Sequence, residues 1–276
     1  MHERTPVAKP AASRLQRDCD AAMPPGALVR GAPSRTVAAM PDPLAAEQRP
    51  PTEVFPERVA VRRSRTASAL AWLGLFGFGA IFGLVRARRS DALDLAVTIK
   101  LQRRRHPLLE RLMALVSWPG FPPQSRLIPP AAIACLLALR LRLEALFFVG
   151  AWGTALVATG TKAIMRRPRP VASDTLRVVT APLGGSSFPS GHVISYVGVY
   201  GFLAYLAGVL VRPAALRRGL VAGLLGLVAL VGPSRIHQGH HWFTDVSASY
   251  LLGTSYVIAL AALYRRVKAR RASVSA

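Results

Sequence analysis

Hydrophobic positions along this chain gather into long uncharged blocks instead of recurring at strand or amphipathic-helix intervals. Thr66 to Val85, His192 to Val211 and Val246 to Tyr264 contain no Asp, Glu, Lys or Arg, and Ala145 to Lys162 carries one only at its end. Each block approaches the roughly 20 residues that cross a hydrocarbon core. The pattern predicts an all-α, polytopic integral membrane protein with six transmembrane helices, at about 66–85, 123–140, 145–165, 192–211, 218–233 and 246–264. The second is the weakest, because its uncharged stretch from Leu127 to Leu139 is short and contains Pro129-Pro130. It needs Arg126 and Arg140 to snorkel. Between the first two spans, Asp91 to Trp118 alternates apolar and charged residues without the length of a span. An interfacial helix along the membrane surface is expected there, with Trp118-Pro119-Gly120 turning the chain inward.

Residues 1–57 mix Pro, Ala, Arg, Asp and Glu with few large apolar side chains, a composition that buries too little surface to offset chain entropy. They are expected to form a disordered tail, followed by a membrane domain over 58–276 whose chemical motifs fall at about 160–250. The first 30 residues lack the apolar core of a cleavable secretory signal, so the first span is expected to direct targeting. Cys19 in the tail and Cys135 in an apolar run give no disulfide or metal-site spacing.

The formal charge of +23 changes this picture less than its size suggests. The first 65 residues hold 11 basic and 7 acidic side chains, leaving 25 basic and 6 acidic residues beside the apolar runs. Anionic lipid headgroups and anionic substrates are the natural partners there. Nucleic acid is not, since no recognised nucleic-acid motif accompanies the charge. With six spans, the N-terminus, the Arg140/Arg142 turn, the Arg212 to Arg218 loop and the Arg265 to Arg271 tail share one side, which the positive-inside bias makes cytoplasmic. The Arg/Ala/Pro-rich usage suggests a GC-rich bacterium, hence a multi-pass protein of the cytoplasmic membrane.

Three polar clusters then fall at span ends on the other, extracytoplasmic face. Lys162 ends an otherwise apolar run, and an ionisable residue at membrane depth points to function, although snorkelling to the interface would also place it there. Arg166, Arg167 and Arg169 follow; guanidinium forks suit phosphate oxygens, while Arg166 and Arg167 also suit solvated interface anchors. Pro189-Ser190-Gly191-His192 opens the fourth span, where unpaired backbone N–H groups and a glycine admit an anion. Ser190 is placed either to cap that helix or to donate to a phosphate, and His192 to protonate a leaving oxygen. Ser234-Arg235, His241 and Asp245 form the third cluster. The four-residue spacing puts Asp245 on the face of His241, where a carboxylate on one ring nitrogen leaves the other free to attack phosphorus. His240 and His237 fall outside that register, and a metal site built from these histidines lacks the usual pair of ligands at i and i+4. Lys162, Arg169, Arg235 and the amides around Gly191 supply the positive potential that phosphoryl transfer requires.

These residues resemble the type-2 phosphatidic-acid phosphatase superfamily. Its pattern of Lys, six residues, Arg-Pro reads here as Lys162 and Arg169-Pro170. Its Pro-Ser-Gly-His is Pro189 to His192, and its Ser-Arg, five residues, His, three residues, Asp is Ser234-Arg235, His241 and Asp245. The resemblance covers about residues 66–265. It implies metal-independent hydrolysis, with no cofactor, of a lipid phosphate or pyrophosphate: His241 as nucleophile, Asp245 orienting it, His192 as acid and then base, and Lys162, Arg169, Ser190, Gly191 and Arg235 holding phosphate. Phosphatidic acid, phosphatidylglycerol phosphate and undecaprenyl pyrophosphate are the substrate types it implies, and no obligate protein partner is expected. A phosphotransferase or a non-catalytic lipid-phosphate binding or transport protein would use the same pocket. The related vanadium haloperoxidases are soluble, which the apolar spans argue against.

Overall fold

The computed structural model describes residues 57–179 and 184–274; apart from Glu57, the expected disordered tail lies outside the described residues. Ten α-helices and no strand occur among them: α1 Glu57–Arg86, α2 Asp91–Gln102, α3 Pro107–Ser117, α4 Gln124–Ala138, α5 Arg142–Trp152, α6 Thr154–Met165, α7 Gly191–Tyr196, α8 Phe202–Leu210, α9 Ala214–His237 and α10 Phe243–Val274. Five helical segments are long and apolar enough to cross a membrane: Arg65–Arg86 of α1, α5 with α6, α7 with α8, α9, and Phe243–Ser273 of α10. They coincide with five of the six expected spans, and the protein is an integral membrane protein. The expected second span is the shorter α4, of 15 residues.

The expected spans differ from these helices in informative ways. The third is interrupted at Gly153, whose N–H is shared between the carbonyls of Val149 and Gly150 at 3.1 Å each. Thr154 Oγ1 donates back to Ala151 O (2.9 Å) and Tyr256 Oη donates to Gly150 O (2.8 Å), so the break leaves its carbonyls satisfied. The fourth contains a π-helical turn, Val197–Gly201, between α7 and α8. The last helix runs on through Arg265–Arg271, which the sequence placed beyond it.

The stretch expected as one interfacial helix is two, α2 and α3. Pro107 opens α3, and His106 Nδ1 accepts the Leu108 N–H at 3.2 Å. Their packing is also less superficial than expected. Both lie against α9, and α2 also lies against α10. The buried stripe of α2 is polar, Asp94, Thr98 and Gln102, while Leu93 and Leu95 are exposed. Gln102 donates to Arg177 O (2.9 Å) and His237 O (3.2 Å) and accepts the Arg177 N–H (2.9 Å), tying the loop after α6 to the end of α9.

The main core lies where α5, α7, α8, α9 and α10 meet, around Phe147, Phe148, Tyr196, Phe202 and Tyr264. Tyr264 takes edge contacts from Phe147 (5.3 Å) and Tyr205 (5.9 Å). α1 packs along α10, and its Phe78 and Phe82 rings lie 6.0 and 5.9 Å from Phe188. That contact buttresses the turn immediately before Pro189-Ser190-Gly191-His192.

At the other end of the bundle, Lys268 Nζ lies 2.5 Å from Glu144 Oε1, and Tyr264 Oη donates to the same oxygen at 2.8 Å. All three side chains are buried. Removing one member of a buried ion pair leaves an uncompensated charge and costs about 3–5 kcal/mol. Lys268→Met is therefore expected to lower the melting temperature of the detergent-solubilised protein. Adding Glu144→Gln should recover most of the loss, and an unchanged melting point in the single variant would show that the pair does not lock α5 to α10.

Candidate active site

The three polar clusters converge at one end of the bundle because the chain alternates direction. α6 ends there with Lys162 in its last turn, α7 begins there at Gly191, α9 ends there with Arg235 and His237, and α10 begins there with Asp245 in its first turn. Two loops complete the arrangement. The loop after α6 carries Arg167 and Arg169 and returns through Ser186 and Ser187, whose backbone N–H donates to Arg167 O at 2.8 Å. The short loop from α9 to α10 carries His240 and His241.

His241 is buried, and both ring nitrogens have defined neighbours. Nδ1 lies 2.7 Å from the carbonyl oxygen of Ser187, an acceptor, so Nδ1 carries the hydrogen and Nε2 the lone pair. Nε2 faces Arg169 Nη1 at 3.2 Å. Asp245, expected to hold the ring directly, is 3.7 Å from Nδ1, beyond hydrogen-bond length. Its Oδ1 accepts from Arg167 Nη1 at 2.7 Å and its Oδ2 from the Trp242 N–H at 2.9 Å. Ser187 thus fixes the tautomer, and Asp245 acts on the imidazole through its charge. Burial pushes the His241 pKa down to about 4; Asp245 opposes the shift, and Arg169 and Arg235 reinforce it. The ring is therefore neutral at physiological pH.

Arg169 also donates from Nη1 to His240 O (2.8 Å) and from Nη2 to Ser186 O (3.3 Å). Arg235 is fully buried; its Nη1 donates to Ser117 Oγ (3.0 Å) and Gln238 Oε1 (2.9 Å), and its Nη2 contacts His240 Nδ1. His240 accordingly faces Arg235, and burial with that cation beside it lowers its pKa to about 3. Among the described residues, no group of three or more His, Cys, Asp or Glu side chains is placed to hold a metal ion.

Ser190 is the N-cap residue of α7, yet its side chain makes no capping bond. Its N–H donates to Ser249 Oγ (2.7 Å), and its own Oγ is buried without a partner. His192 Nε2, Arg169 Nε and Arg235 Nε are likewise buried and unpartnered. Buried polar groups are seldom left so, and here four such atoms belong to side chains expected to meet a phosphate. Lys162, Gly191 and His192 line a cavity of about 400 Å³ that extends between α4, α6 and α7 past Ile128, Trp152 and Tyr200. Beyond these residues its lining is mostly apolar, with Ser125, Arg126, Thr159 and Ser195 interspersed. A Cβ on Gly191 would lie 3.6 Å from Lys162 Nζ, so the ammonium sits directly over the start of α7.

The sequence left several of these contacts out. Arg167, grouped with Arg166 as an interface anchor, is buried; Arg166 is exposed and ends α6 in a left-handed conformation (φ 49°). Arg167 bridges Asp245 and, through Nη2, Asp94 Oδ2 at 2.7 Å. Asp94 lies in the stretch that the sequence pattern reads as a surface helix. Phe121 lies with its ring 4.7 Å from the His192 ring and 5.1 Å below the Arg235 guanidinium. Gly120 precedes it, where a Cβ would collide with the His192 ring and meet Tyr196 Cε2 at 3.0 Å.

Residues 143–269 match the model of the PAP2 superfamily, a segment that contains every expected site residue from Lys162 to Asp245. No curated protein sequence matches the chain. Among solved structures, its fold is similar to a transmembrane PAP2-type phosphatidylglycerolphosphate phosphatase from Bacillus subtilis, with a TM-score of 0.62 and 21% identity, covering 70% of this chain and 94% of that one. Aquifex aeolicus LpxE also matches, with a TM-score of 0.49 and 22% identity over 62% of this chain and 94% of that one. The chain carries a PAP2 superfamily domain over residues 143–269.

Proposed function

We propose that this protein is a membrane phosphatase that hydrolyses a lipid phosphate or pyrophosphate through a phosphohistidine on His241. The observation that carries the proposal is the His241 imidazole, with Nδ1 pinned by Ser187 O and the Nε2 lone pair turned toward the Arg169 guanidinium. Lys162, Arg169, Arg235, the Ser190 hydroxyl and the Gly191 amide hold the phosphoryl oxygens in this account and balance their charge as it develops. His241 Nε2 attacks phosphorus as the bond to the lipid oxygen breaks, and His192 gives that oxygen its proton. Water then loses a proton to His192 and attacks phosphorus, the P–N bond breaks, and phosphate leaves with His241 restored. The cavity beyond His192 supports a substrate with an apolar tail, its walls being largely aliphatic and aromatic.

The fold supports six crossings by an argument of position. Ser117 is at the catalytic end, beside Arg235, and Glu144 is at the opposite end, beside Lys268. Only α4 covers the distance between them. Its 15 residues span about 22 Å at 1.5 Å per residue, short of the ~30 Å core, so the flanking Pro119 to Pro123 and Leu139 to Leu141 complete the crossing. On this account α2 and α3 lie at the interface, residues 58–276 form the membrane domain, and both termini face the cytoplasm with the site outside.

Detergent-purified protein should release phosphate in EDTA from at least one of phosphatidic acid, phosphatidylglycerol phosphate and undecaprenyl pyrophosphate, and His241→Ala should abolish release. Full activity in the variant would remove His241 from the mechanism. A cysteine placed at Asp174 should react with an impermeant maleimide in intact cells; labelling only after permeabilisation would reverse the orientation.

A further inference from the structure

We propose that Arg167 and Asp94 are positioning residues for the nucleophile, fixing the place and effective charge of Asp245 and, through its bond to the Trp242 N–H beside His241 and through its charge, the aim and protonation of His241. The proposal rests on the phosphatase assignment above. It starts from how the two carboxylates are held. Asp94 and Asp245 are fully buried, come from different helices, and share the single Arg167 guanidinium, at 2.7 Å from Nη2 and Nη1 respectively. A planar fork reaches two carboxylates on opposite sides, which a lysine ammonium on one stem does less well.

Asp94 acts on Asp245 by a second route. Its Oδ1 accepts the Thr244 N–H and its Oδ2 the Thr244 hydroxyl, both at 2.7 Å. It therefore caps the first turn of α10, the turn on which Asp245 sits. Arg167 Nη1 also donates to Thr244 Oγ1 (2.8 Å), and its Nη2 to Ser90 Oγ (3.3 Å). With both terminal nitrogens occupied by protein oxygens, Arg167 has no free arm for substrate, unlike Arg169, Ser190, His192 and Arg235 with their unpartnered atoms. Burial disfavours the charge on Arg167, and Asp245 and Asp94 more than offset it, raising its pKa.

The groups that act on His241 are Asp245 from α10, Arg169 from the loop after α6, Arg235 from α9, the neighbouring His240, and His192 from α7. Asp245 is the one anion of this set. Arg167 offsets part of its charge and holds the carboxylate 3.7 Å from the ring, short of a direct bond. Without Arg167 the carboxylate acts on His241 with its full charge, and the imidazole keeps its proton to higher pH.

The test uses the full-length protein in detergent, with Arg167→Gln, Arg167→Lys and the near-isosteric Asp94→Asn. Phosphate release gives kcat and KM against pH. The pH dependence of His241 carbethoxylation, read by mass spectrometry, gives its protonation midpoint without turnover. Arg167→Gln and Asp94→Asn should lower kcat about tenfold or more with KM within about twofold, because attack geometry and not substrate binding is lost. The His241 midpoint should rise by about one pH unit in Arg167→Gln. Arg167→Lys should keep the wild-type midpoint while recovering only part of kcat. Unchanged kcat and midpoint in Asp94→Asn and Arg167→Gln would overturn the proposal, as would a raised KM at unchanged kcat, which would make Arg167 a substrate ligand. Should Arg167→Gln fail to fold, Arg167→Lys and Asp94→Asn decide. A wild-type protein that releases no phosphate would defeat the phosphatase assignment, and the carbethoxylation midpoints would still decide this proposal.

Discussion

Two carboxylates and one guanidinium, all withdrawn from solvent, organise the end of this bundle that holds the proposed active site. Burying Asp94 or Asp245 alone would be prohibitive, since a desolvated carboxylate is tolerated only when paired and hydrogen-bonded. Arg167 compensates both, and backbone and hydroxyl donors from Trp242 and Thr244 fill the remaining acceptor positions. The arrangement requires the loop after α6, the start of α2 and the start of α10 to meet at one point. Ser187 comes with that loop, and its carbonyl fixes the His241 tautomer. The atoms proposed to face phosphate are thus consequences of a charge arrangement one layer behind them.

The other groups proposed to hold phosphate depend on packing of a different kind. Phe121 lies between His192 and Arg235, and Ser117 accepts from Arg235, so the segment after α3 braces both. On the far side, Phe78 and Phe82 of α1 press on Phe188, immediately before Pro189 and Ser190. Long apolar helices supply the frame, and short polar or aromatic insertions between them place the chemistry.

This division also explains what could be read from the sequence. Uncharged blocks mark spans because the hydrocarbon excludes charge, and five of them appear as helices of the expected kind. The expected site residues converge because they sit at alternating span ends. Hydropathy cannot report α2, whose polar stripe at Asp94, Thr98 and Gln102 faces inward while Leu93 and Leu95 face outward, so it reads as a surface helix. Arg166 and Arg167 look equivalent in sequence; only the left-handed turn at Arg166 separates them, leaving one exposed and one buried. Asp94 did carry a signal, being one of just two acidic residues between Arg86 and Arg105. The Ser187 carbonyl carried none, since a backbone oxygen has no identity in sequence.

The central claim is a covalent bond between phosphorus and one particular nitrogen, and rapid quenching of the protein with a lipid substrate labelled with ³²P at its terminal phosphate tests it most directly. The account predicts protein-bound label that is stable to base, labile to acid, and located by peptide mapping on His241, with none in His241→Ala. Turnover with no trapped label, or label on another residue, would contradict it.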